Sequence, residues 1–125
     1  MNERDVLEQR LATLLGLLSA PAGPLGPNAG ALGEQLRAAW ETEARLIERL
    51  LAETPGADVL ATVRAWRSRT LAFAERSPVE APTWTDKQGR VWNAPDVLMT
   101  LDDLTDRVER WMRAAGSDGG QEIDR

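Results

Sequence analysis

Apolar residues along this chain recur at spacings of three and four, the period of an α-helix with one buried face, in segments separated by polar or proline- and glycine-rich breaks. In the first segment, residues 3–19, Leu7, Leu11, Leu14 and Leu18 share one stripe, which Leu15 and Leu17 widen. Asn2 stands at the N-cap position, and Asp5 three residues later meets the positive end of the helix dipole. The segment must stop at SAPAGPLGPNAG, where Pro21, Pro24 and Pro27 alternate with glycines. This connection is long enough to leave the relative direction of helices 1 and 2 open.

The second segment, residues 31–53, aligns Leu36, Trp40, Ile47 and Leu50, with Glu43 where the middle of the stripe needs a hydrophobe. A third helix is expected to begin after Thr54 as N-cap, with Pro55 as its first residue, and to run to Arg76. Its stripe is Val59, Val63, Trp66 and Phe73, interrupted by Thr70. The fourth opens at NAPD with Asn93 as cap and carries Val97, Leu101, Leu104, Val108, Trp111 and Ala115 before Gly116 ends it. The remainder, SDGGQEIDR, is too polar and glycine-rich to fold and reads as a disordered tail over 117–125.

Between the third and fourth helices the period changes. In TWTDKQGRVWNAP, the run DKQG suits a type I turn with Gly89 in the left-handed position, closing a three-residue hairpin loop. If Asp86 faces Arg90, then Thr85 pairs with Val91 and Trp84 with Trp92. A two-stranded ribbon is marginal alone, so its aromatic face needs a support. The expected class is all-α: a four-helix bundle-like domain over 1–116, with a short β-hairpin between helices 3 and 4.

Composition then removes chemistries. The chain of 125 residues has no histidine and no cysteine, which excludes imidazole and thiol catalysis, zinc–thiolate sites and disulfides. No glycine-rich phosphate loop is present. Net charge is −5, and the basic residues, fourteen arginines and Lys87, form no run. Nucleic acid is therefore not an expected partner. The longest apolar run, LATLLGLL, is too short for a membrane span, and the charged start MNERDVLEQR is unlike a secretory leader. A cytoplasmic protein is expected, and the arginine, alanine and proline bias points to a GC-rich bacterial coding sequence.

Four groups of residues remain as candidates. Asp102, Asp106 and Glu109 share a helix face, as a magnesium site would require. However, Asp103, Asp106 and Glu109 each precede an arginine by four, the favourable order for surface ion pairs, so no metal is assigned. Glu43 and Thr70 interrupt the stripes of consecutive helices, with Arg67 the expected counter-charge for a buried carboxylate. Trp84 and Trp92 are the third group, either a cap on the helices or a partner surface. The leucine arc of helix 1, comprising Leu7, Leu11, Leu14, Leu15, Leu17 and Leu18, is broader than one core contact needs and forms the fourth.

WNAPDVLMTLDD, residues 92–103, resembles the W-x-x-x-E-x-L-x-H-L-x-D segment of DinB/YfiT-like metal-binding four-helix bundles. Trp92, Asp96, Leu98, Leu101 and Asp103 fall on that pattern, but Thr100 stands in the place of the metal-binding histidine. The resemblance therefore implies a helical bundle without the family's metal chemistry. The resulting expectation is a non-enzymatic helical protein without a cofactor, working through protein–protein contacts as a homodimer built on the helix 1 leucines. The alternative expectation is a bundle that binds a small apolar ligand, or a carboxylate-based enzyme, with a pocket near Glu43 lined by Trp40 and Trp66.

Overall fold

The computed structural model describes residues 2–19 and 30–123, with side chains to residue 114. The proline- and glycine-rich stop after helix 1 lies outside the described residues. Among the described residues the chain is all-α and bundle-like in class, with four helices and a two-stranded antiparallel hairpin between the third and fourth. It divides into two compact units, Met1–Ala57 and Asp58–Arg125.

The first unit is a helical pair, α1 (Glu3–Ser19) and α2 (Gly30–Glu53). A reciprocal box opens α1: the Asn2 side chain accepts from the Asp5 amide at 3.0 Å, and Asp5 accepts from the Asn2 amide at 2.9 Å. Such a cap stabilises a helix by about 1 kcal/mol. Three contacts then fix the direction that the connecting segment leaves open. Near the start of α1, the Arg4 guanidinium donates to the carbonyls of Leu51 and Thr54 at the end of α2, at 3.2 and 2.7 Å. Midway, Arg10 pairs with Glu43, and at the far end Arg37 donates to the Leu18 carbonyl. The two helices are antiparallel within one chain. Val6, Leu7 and Leu14 of α1 and Ala44, Leu46, Ile47 and Leu50 of α2 are buried.

The second unit contains α3 (Val59–Arg76), β1 (Thr83–Thr85), β2 (Val91–Asn93) and α4 (Ala94–Ile123). Helix α3 starts four residues later than Pro55. Asp58 is its cap and accepts from the Ala61 amide at 3.4 Å, while the Thr54 hydroxyl turns back to donate to the Leu50 carbonyl at 2.7 Å. The threonine closes α2 instead of opening α3.

Helix α4 buries Val97, Leu101, Leu104 and Val108 of its predicted stripe and half-buries Trp111, the side chain of Ala115 lying outside the described residues, and α3 buries Val59, Leu60, Val63, Trp66 and Thr70. Asn93 caps α4 by accepting from the Asp96 amide at 3.1 Å. The helical backbone continues past Gly116 to Ile123; a glycine costs a helix only about 1 kcal/mol relative to alanine and need not end one.

Candidate functional site

The hairpin between α3 and α4 has the register its turn chemistry dictates: Trp84 opposes Trp92, Thr85 opposes Val91 and Thr83 opposes Asn93. The Asp86 amide donates to the Arg90 carbonyl at 2.9 Å, and the Gly89 amide to the Asp86 carbonyl at 3.0 Å. Gly89 has φ +84°, a conformation that glycine adopts without the steric cost of a Cβ. The side chain of Asp86 organises the rest. One oxygen accepts from the Gln88 and Arg90 amides at 2.9 and 3.0 Å, and the other accepts from the Trp92 indole N–H at 2.8 Å. The turn signal places Asp86 at the start of the loop and does not by itself disclose the bond to Trp92. A residue six positions before a tryptophan in a tight hairpin lies within reach of its ring.

Four aromatic rings run in series behind the turn. Phe73 of α3 meets Trp84 edge-on at 5.4 Å, Trp84 stacks on Trp92 at 6.4 Å with planes 20° apart, and Trp92 meets Trp66 of α3 edge-on at 6.1 Å. The Arg69 guanidinium lies 5.5 Å from the Trp66 ring centre. Trp92 is 2% exposed, so its ring is core, and its one polar atom is satisfied by Asp86. Trp84 is half-buried. The support that a two-stranded ribbon requires is supplied by the side of α3 and by the start of α4.

Glu43 finds a different partner from the one its sequence context suggests. Both of its oxygens accept from Arg10 of α1, at 2.7 Å from Nε and 3.0 Å from Nη2. The side chains are 16% and 20% exposed respectively, so the pair is shielded but not dry. The hydrogen bond to Glu43 raises the Arg10 pKa above its ordinary value, with desolvation opposing and the charge of Glu43 adding to the rise. Arg67, the expected counter-charge, binds Asp102 of α4 at 2.8 Å instead. Thr70 is buried at 4% exposure. Glu43 and Thr70 therefore belong to separate units.

Asp106 pairs with Arg110 at 2.9 Å, and with Asp102 on Arg67 two acids of the α4 face are held by arginines. Among the described residues no group of three or more acidic side chains is arranged to hold a metal ion. An open depression on α1 is lined by Asp5, Glu8, Gln9 and Ala12. Asp5 there closes the Asn2 cap and Glu8 lies 3.6 Å from Arg4, so its acids have structural partners.

The leucine arc of α1 is divided by the fold. Leu7 and Leu14 are fully buried within the chain, Leu11, Leu17 and Leu18 are half-buried, and Leu15 is 40% exposed. No helix among the described residues is long and apolar enough to cross a membrane. Comparison with known families, with curated proteins and with solved structures gave no match.

Proposed function

We propose that this chain is a non-enzymatic helical protein that acts through protein–protein contact, associating with a second copy of itself through the leucine arc of α1. The observation that carries the reading is the uncovered part of the α1 arc: Leu15 is exposed beside half-buried Leu11, Leu17 and Leu18, and apolar area of this kind is removed from water by association. Charge supports a protein partner over nucleic acid, because a net −5 with no basic run repels phosphate. The carboxylate that best resembled a catalytic base, Glu43, has both oxygens bonded to Arg10, which speaks against acid–base chemistry there. The absence of cysteine fits a cytoplasmic setting. Light scattering at tens of micromolar tests the reading: twice the 13.7 kDa chain mass is expected, and a monomer mass would sink it.

A further inference from the structure

We draw no further inference here: the strongest candidate, the half-buried ring of Trp84 in the aromatic series between the hairpin and α3, presents an apolar face with nothing in the structure to show what covers it.

Discussion

The indole N–H of Trp92 donates to the carboxylate of Asp86 at 2.8 Å, across the turn that sets the two residues' strands in register. The same carboxylate holds two turn amides, so one side chain fixes both the loop and the orientation of a buried ring. Asp86→Ala leaves the indole N–H without its acceptor and frees the turn, and should cost roughly 2–3 kcal/mol. Asp86→Asn retains an acceptor and should cost less. Urea denaturation orders the pair, and equal losses for both would remove the carboxylate from its role.

The two tryptophans are not equivalent. Trp92 is 2% exposed and lies between Trp66 and Trp84, so Trp92→Ala should destabilise by about 3–5 kcal/mol. Trp84 is half-buried, and its truncation should cost clearly less. Thermal melts of the two variants decide the order; a reversed order would mean that the hairpin does not seat on Trp92.

A substitution at Gly89 isolates backbone strain. A Cβ there would find nothing within 4 Å, yet φ is +84°, so no clash contributes to the effect. Gly89→Val should cost at least about 1–2 kcal/mol, the penalty for a side chain in the left-handed region, and Gly89→Asn should recover part of it. If valine were neutral in a melt, the turn would have to adopt another geometry in solution.

Removing Arg10 tests the shielded pair of the first unit. Arg10→Met leaves Glu43, 16% exposed, without its counter-charge, and should cost about 1–2 kcal/mol once solvent screening is allowed for. The pH dependence follows from the raised pKa of Arg10. A group with a higher pKa in the folded state contributes its full stability below the unfolded value, and loses it only as pH rises through the folded one. Stability curves for wild type and Arg10→Met should therefore run parallel between about pH 6 and pH 10. Convergence within that window would show that another group controls the pair.

Divalent metals should leave the protein unaffected. Asp102 is bonded to Arg67 and Asp106 to Arg110, so a cation would have to displace two guanidinium groups from an exposed helix face. Millimolar magnesium, calcium or manganese should not move the melting temperature, since only a native-state site stabilises by mass action. A rise of several degrees that Asp102→Ala or Asp106→Ala abolishes would establish a site on that face.

Local chemistry determined much of this protein from sequence alone. The extent of α1, the Asn2 and Asn93 caps and the full register of the hairpin follow from residues within a few positions of one another, because turn type, positive φ and capping are decided by short-range sterics and hydrogen bonds. Even the local level contained a choice that sequence did not resolve: Thr54 and Asp58 both suit an N-cap, and α3 starts at the second because the threonine hydroxyl bonds back to Leu50. Partners across helices were decided only by the tertiary structure. Periodicity states where a side chain points around its own helix axis but not what stands opposite. The counter-charge of Glu43 is thus Arg10, 33 positions earlier in the chain, and that of Arg67 is Asp102, 35 positions later. For the same reason, one leucine arc on α1 holds Leu14 at 0% and Leu15 at 40% exposure: hydrophobicity makes both candidates for burial, and only the path of the neighbouring chain covers one and leaves the other in water.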